Sequence, residues 1–322
     1  MEGENMKNVY LHCPLLSESD YRNVLDRLCP LSVENVTVYI HADRACAKQL
    51  QALVEVQKSF GMERTLRFRN ILVFSHVPRF VKSLRRVLVK NNFSVELHVD
   101  QAQIPKLVKV DRRLTKSGIR HGFWVDAQED QWEVCRRFQA VGLPVHLERP
   151  RYTADTADRF DRWLRDPSAQ GINIFCDIIS MLTLEIHSPN CRYASCFGTT
   201  FRVDEQLQVY LCPHHMNEQT CLGRLAPRDT LLQQSNVMQL LSQAIEKRGQ
   251  CTGSCSGFSF CQGGCPLEQD ASCTHYLDTV QHIRNALQEV YRSNDLSQVN
   301  PIVKNAILNA LAFGTAFFSS TT

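Results

Sequence analysis

Cys251-Thr-Gly-Ser-Cys255-Ser-Gly-Phe-Ser-Phe-Cys261-Gln-Gly-Gly-Cys265 packs four thiols into fifteen residues, and Cys273 follows shortly after. Upstream stand Cys191, Cys196 and Cys212. Nine of the fourteen cysteines fall between Asn190 and Thr274, and eight of them have ligand-like spacing. C-x3-C-x5-C-x3-C with a further cysteine supplies four or five thiolates, and C-x4-C-x15-C supplies three more. Iron–sulfur clusters and structural zinc both need several thiolates converging from short loops. Zinc sites favour paired C-x2-C knuckles, and this sequence has none, so iron–sulfur is the better match and zinc the alternative. The total predicts two sites of four thiolates each, and Gly264-Cys265-Pro266 reads as a cluster-binding loop.

Outside this region the composition is that of a globular protein. Hydrophobic residues make up 43% and charged residues 21% of 322 residues, enough for one large domain or two ordinary ones. The opening Met1-Glu-Gly-Glu-Asn-Met-Lys7 is polar and mixed in sign, unlike an export signal. Fourteen cysteines without such a signal predict reduced thiols in a cytoplasm, with a disulfide framework as the competing reading.

The first half alternates short β-branched or aromatic runs with longer amphipathic ones. The expected strands are Asn8–His12, Val36–His41, Ile71–Ser75, Phe93–Val99, Gly122–Asp126, Leu143–Glu148 and Ile172–Cys176. Helical patterns lie between them over Ala45–Ser59, Pro78–Lys90, Gln128–Ala140 and Ala154–Arg165. This repeat predicts a parallel sheet flanked by helices, either open or a partial (β/α) barrel. Function in such folds collects where strands run into the following loops. Those positions hold Cys13, His41-Ala42-Asp43, Ser75-His76, Asp100 and Asp126, which form no recognisable nucleophile–base pair. No Gly-rich phosphate loop is present. Cys29, Cys46 and Cys135 fall on helices or their ends and read as core thiols.

Between Arg64 and Arg120 the charge is strongly positive. Arg64, Arg67, Arg69, Arg79, Lys82, Arg85, Arg86, Lys90, Lys106, Lys109, Arg112, Arg113, Lys116 and Arg120 face only Glu96, Asp100 and Asp111. Such a face suits an acidic partner or a set of solvated helix surfaces. Its aromatics occupy apolar-face positions, which argues against stacking on nucleic-acid bases.

With the thiol spacing and hairpin in view, residues 191–273 resemble the SPASM domain, the auxiliary-cluster extension of many radical S-adenosylmethionine (radical SAM) peptide maturases. Gln208-Val209-Tyr210-Leu211-Cys212 looks like that family's hairpin into a ligand, and Cys251, Cys255, Cys261, Cys265 and Cys273 match the remainder. The first gap is x3 where the family has x2, and Leu207 stands where the family usually has glycine. The resemblance implies a crossed arrangement: Cys191, Cys196, Cys212 and Cys265 on one 4Fe–4S cluster, and Cys251, Cys255, Cys261 and Cys273 on the other. It makes Cys221 a packing residue; His214, His215 and His275 read as satisfied loop histidines, with ligation of the cluster or a hydrogen bond to its sulfur as the competing reading.

Active radical SAM enzymes carry C-x3-C-x2-C just after the first barrel strand. Here the matching stretch is Cys13-Pro-Leu-Leu-Ser17-Glu-Ser-Asp20, with one thiol of three, and no glycine stands at His41-Ala42-Asp43 where the family has Gly-Gly-Glu. The resemblance therefore implies a degenerate radical SAM-like partial barrel over 1–188, a SPASM domain over 189–275 and a C-terminal helical segment over 276–322. It implies an accessory, non-catalytic protein with two 4Fe–4S clusters and no S-adenosylmethionine. Its partners would be a radical SAM maturase and a precursor peptide of a ribosomal peptide system. It would relay electrons or hold the substrate peptide, with an acidic redox protein at the basic face and nucleic acid not expected. Two other classes compete: a zinc-stabilised binding module and a divergent active radical SAM enzyme. At the end of the chain, Tyr276–Arg292 reads as an amphipathic helix. Pro301–Phe318 is apolar, but Lys304, Asn305 and Asn309 interrupt it, so no transmembrane segment is expected.

Overall fold

A computed structural model describes residues 8–29, 33–42, 47–76, 82–126, 130–148, 150–184, 199–235, 237–240, 242–243, 246, 273–293 and 295–312. In chain order, β1 (Asn8–Pro14), α1 (Glu18–Leu28), β2 (Asn35–His41), α2 (Ala47–Arg64), β3 (Arg67–Phe74), α3 (Lys82–Lys90) and β4 (Ser94–His98) alternate strictly. A 3-10 turn (Gln101–Gln103) leads into α4 (Ile104–Lys116) and β5 (Arg120–Asp126). Then come α5 (Gln131–Ala140), β6 (His146–Glu148), α6 (Thr156–Leu164) and α7 (Asn173–Leu184). Three short strands follow, β7 (Thr200–Val203), β8 (Gln208–Tyr210) and β9 (Cys221–Arg224), with α8 (Arg228–Leu232) after them. Two helices, α9 (Cys273–Ser293) and α10 (Pro301–Ala312), complete the described elements. The chain divides into two compact units, Met1–Phe123 with Cys196–Glu246 and Trp124–Ser195 with Lys247–Thr322.

In the first unit the strands run β4-β3-β2-β1-β7-β8-β9. β1 through β4 pair in parallel, as the alternating strand and helix pattern predicts. β7 joins β1 in parallel through Tyr10↔Thr200 and His12↔Arg202, and β8 returns antiparallel to β7. Hairpin residues next to the cysteine-rich region thus extend the sheet begun by the first half. Val9, Leu11 and Cys13 of β1 and Val36, Val38 and Ile40 of β2 are buried, while the residues between them are only partly so. This is the two-residue period of a strand whose faces meet different surroundings.

Helix α1 shows why the crossover helices form where they do. The Ser17 hydroxyl accepts from the Asp20 N–H at 3.2 Å, and Glu18 and Asp20 place negative charge on the positive end of the helix. Tyr21, Val24, Leu25 and Leu28 then recur at helical spacing and are buried. A buried polar network ties α1 and α2 to β3. The Gln57 amide nitrogen donates to Tyr21 Oη and to Asn70 Oδ1, both at 2.6 Å, and Asn70 Nδ2 donates back to Gln57 Oε1 at 2.8 Å.

In the second unit β5 and β6 pair in parallel, with Trp124↔His146 and Asp126↔Glu148. The core packs Phe160 edge-on to Phe175 at 5.4 Å and Trp163 against the same ring at 5.3 Å. Asn300 is fully buried ahead of α10. Its amide donates to the carbonyls of Trp163, Asp166 and Ala169, and its Oδ1 accepts from the Ile302 N–H.

One expected strand is corrected. Ile172–Cys176 does not form a strand: only Ile172 bridges Val145, and helix α7 begins at Asn173. Its β-branched composition favours a strand, but Ile174, Phe175, Ile178, Ile179 and Leu182 are buried at helical spacing. Asn173 sets the start, because its side chain bonds both the N–H and the C=O of Leu147 at 3.0 Å and takes that residue's next partner position. The terminal segment's helix is present as α10, and no helix of the described residues is long and apolar enough to cross a membrane.

Replacing Gln57 by Leu leaves the Tyr21 hydroxyl and the Asn70 amide buried without their partner. Urea unfolding should show a loss of about 2–3 kcal/mol, against less than about 0.5 kcal/mol for the exposed Lys58→Ala.

Candidate functional site

Four residues meet on the partly accessible face of β1, β2 and β7. His12 lies in β1, and the parallel register sets it beside Tyr39 of β2 and Arg202 of β7. The rings of His12 and Tyr39 stack at 4.2 Å with 2° between their planes. His41 ends β2, and its Nε2 accepts from Arg202 Nη1 at 2.7 Å. His12 Nδ1 contacts the same nitrogen at 3.2 Å. This is the C-terminal end of the parallel strands, the edge at which α/β folds place their ligands.

The hydrogen bonds fix the protonation of the cluster. A guanidinium has only donors, so the His41 Nε2 carries a lone pair and its proton resides on Nδ1. The His12 nitrogen facing it is then the one that bears hydrogen. Burial, reinforced by the positive charge of Arg202 and by His98 and His214, pushes the His41 pKa down to about 3. Burial also holds His12 well below the ordinary histidine value, with His41 and Arg202 adding to the effect. Both imidazoles are neutral at pH 7, and the cluster carries the single positive charge of Arg202.

The strand-end positions read from the sequence sort differently. Cys13 lies within β1, not after it, and its side chain points to the buried face opposite His12. Burial pushes its pKa up to about 12, so it is a neutral thiol. Asp100 caps the 3-10 turn by accepting from the Ala102 N–H, and Ser75 and His76 form an exposed contact at 3.5 Å. Asp126 ends β5 at the surface, and Asp43 is outside the described residues. Cys29 and Cys135 are buried thiols with pKa values pushed to about 12, as core thiols should be; Cys46 is outside the described residues.

Of the eight expected thiolate ligands, Cys191, Cys196, Cys251, Cys255, Cys261 and Cys265 are outside the described residues. Cys212 follows β8 and is 2% exposed, and Cys273 opens α9. Among the described residues no group of three or more His, Cys, Asp and Glu side chains is arranged to hold a metal ion. Cys221 opens β9, and its sulfur accepts from the Gly223 N–H at 3.4 Å. Ahead of Cys212 the hairpin turns at Leu207, whose φ of 58° lies in the left-handed region where glycine is at home. The Asp204 carboxylate stabilises that turn by accepting from the Gln206 and Gln208 N–H groups.

His41 was visible in the sequence as a candidate strand-end residue, whereas His12, the last residue of the first expected strand, and Arg202 were not singled out. His12 alternates with the buried residues of β1, which marks it as facing the other side. Nothing local to Arg202 signals a partner 161 residues away in His41.

The chain matches no protein-family model and no curated protein sequence. Among solved structures it is similar to the radical SAM enzyme anSMEcpe, solved in its native form with AdoMet bound, with a TM-score of 0.61. That likeness covers 93% of this chain and 99% of the other at 14% identity. It is a likeness of fold: this chain has a radical SAM-like α/β fold built on a parallel-strand sheet.

The neutral state of His41 has a consequence for stability. Its folded pKa lies below the unfolded value of 6.5, so between pH 6.5 and about 3 the unfolded chain binds a proton that the folded chain does not. This linkage leaves stability intact above pH 6.5 and erodes it as pH falls below. Urea midpoints at pH 7 and pH 5 should differ more for the wild type than for His41→Gln.

Proposed function

We propose that this protein is an accessory, non-catalytic partner of a radical SAM peptide maturase, carrying two 4Fe–4S clusters on its cysteine-rich segment. The observation that carries the reading is at the first strand of a radical SAM-like fold. Between Pro14 and Leu28 there is no cysteine, and Cys13 is a neutral thiol turned into the core. A cluster that binds S-adenosylmethionine needs three thiolates at that place, and this chain has one cysteine there, Cys13, turned into the core.

The cysteine-rich segment suits clusters through its donor set. Eight thiols at ligand spacing suffice for two sets of four, and by the crossed arrangement that the SPASM resemblance implies, Cys191, Cys196, Cys212 and Cys265 would hold one and Cys251, Cys255, Cys261 and Cys273 the other. Cys212 follows β8, the strand that in the resemblance leads into a cluster ligand. Bound clusters supply one-electron transfer at potentials tuned by burial and by hydrogen bonds to sulfur. A precursor peptide and its maturase are the partners of this reading, in the cytoplasm.

The basic face belongs to the same reading. Arg86, Lys90, Lys109, Arg112, Arg113 and Lys116 on α3 and α4 are exposed, and none makes an ion pair among the described residues. Arg64, by contrast, is committed to Asp26 at 2.9 Å and to the Phe60 ring. Exposed unpaired cations steer an acidic protein, such as an electron donor, by long-range attraction that salt screens.

Anaerobic reconstitution should give about eight irons and eight sulfides per chain, four of each per cluster. Cys212→Ala should lose about half of them. Stoichiometric zinc without iron would overturn the cluster assignment. Incubated alone with S-adenosylmethionine and a strong reductant, the reconstituted protein should release no 5′-deoxyadenosine, and its release would overturn the accessory role.

A further inference from the structure

We propose that Arg202, with His41 and His12 beside it, is a binding site for a carboxylate ligand. The site stands on geometry within the first unit and does not depend on the cluster reading. Arg202, His41 and His12 are all partly accessible, so the group can be reached from solvent. Yet the Arg202 Nε–H is itself shielded from solvent and has no hydrogen-bond partner. Buried polar hydrogens are nearly always satisfied, and an orphan on a charged group calls for a missing partner.

The surroundings do not supply that partner. Among the described residues the guanidinium makes one hydrogen bond, from Nη1 to the neutral His41, and no salt bridge. Cys13 and Asp204 are the acids that act on it through space, but burial pushes the Cys13 thiol up to about 12 and so keeps it uncharged, and the Asp204 carboxylate is taken up by the Gln206 and Gln208 N–H groups and the Tyr210 hydroxyl. A partly buried cation without a counter-charge is unfavourable, and an anion from outside the chain removes the imbalance.

The donor pattern selects the anion. With Nη1 engaged by His41, the remaining edge is Nε and Nη2, two parallel N–H groups that match the two oxygens of a carboxylate once the side chain shifts enough to uncover the shielded Nε–H. One guanidinium suits a single negative charge better than a phosphate dianion, and the sequence has no Gly-rich phosphate loop. His41 fixes the guanidinium in place, and the His12–Tyr39 stack gives the site one flat wall.

The test is isothermal titration calorimetry on the full chain as purified. The probes are succinate, a short peptide capped at both ends with a single Glu, and inorganic phosphate. At least one carboxylate probe should bind saturably, and Arg202→Gln should weaken it by about tenfold or more. Arg202→Lys keeps the charge but loses the fork, and it should also bind more weakly than the wild type. Binding of the peptide alone assigns the carboxylate to a peptide side chain, and binding of succinate assigns it to a small acid; both support the site. In the wild type the ¹⁵N–¹H signal of the Arg202 Nε–H should move on addition of the binding probe, a readout that does not depend on how the variants fold. Saturable binding by neither carboxylate, tighter binding of phosphate, or unchanged affinity in Arg202→Gln would each overturn the proposal.

Discussion

Strand β1 lies between β2 and β7, and the two-residue period of its side chains governs what the first unit presents. Val9, Leu11 and Cys13 are committed to the buried face, so Tyr10 and His12 must take the other. A register slip of one residue would exchange the two sets, and the apolar triplet makes that unfavourable. The same constraint removes Cys13 from any loop at the strand end and brings His12 beside Arg202. A thiol with a pKa near 12 and a pair of neutral imidazoles are two results of one alternation.

The surrounding structure holds this strand end in place through polar groups that burial makes specific. Gln57 can satisfy Tyr21 and Asn70 only when α1, α2 and β3 are in register with one another. In the second unit Asn300 does the same for the α6–α7 connection and the start of α10 by meeting three carbonyls with one amide. Such networks stabilise only when complete, so they select one packing arrangement among those that apolar contacts alone would accept. Leu207 is a local exception: its left-handed backbone is unfavourable for a branched side chain, and the Asp204 carboxylate offsets part of that by ordering the turn.

The electrostatics separate two kinds of site. Thiolate clusters need sulfur groups that give up protons, and the thiols at Cys13, Cys29 and Cys135 are buried where burial opposes this. The arginine–histidine cluster is positive, and the acids that act on it are an uncharged thiol, Cys13, and a carboxylate, Asp204, held by its own turn, which suits an incoming anion and disfavours a metal cation. The proposed accessory role and the proposed carboxylate site therefore draw on different parts of the chain and on different chemistry.

The alternating strands and helices of the first half were legible in the sequence because each element carries its own period. β1, β2 and β4 carry apolar residues two apart, β3 ends in the continuous buried run Ile71–Phe74, and the helical patterns over Ala45–Ser59 and Gln128–Ala140 are met by α2 and α5. The Ile172–Cys176 segment shows where this fails, since a short apolar run satisfies both periods and the choice falls to the neighbours that bury it. The thiol spacing, likewise, is local and was read directly, together with the absence of two of the three thiols after β1. What only the tertiary structure decided is the pairing of β7 with β1 and the meeting of Arg202 with His41. Strand register is set by contacts between distant segments, and a guanidinium's partner depends on geometry in space, to which sequence distance offers no guide.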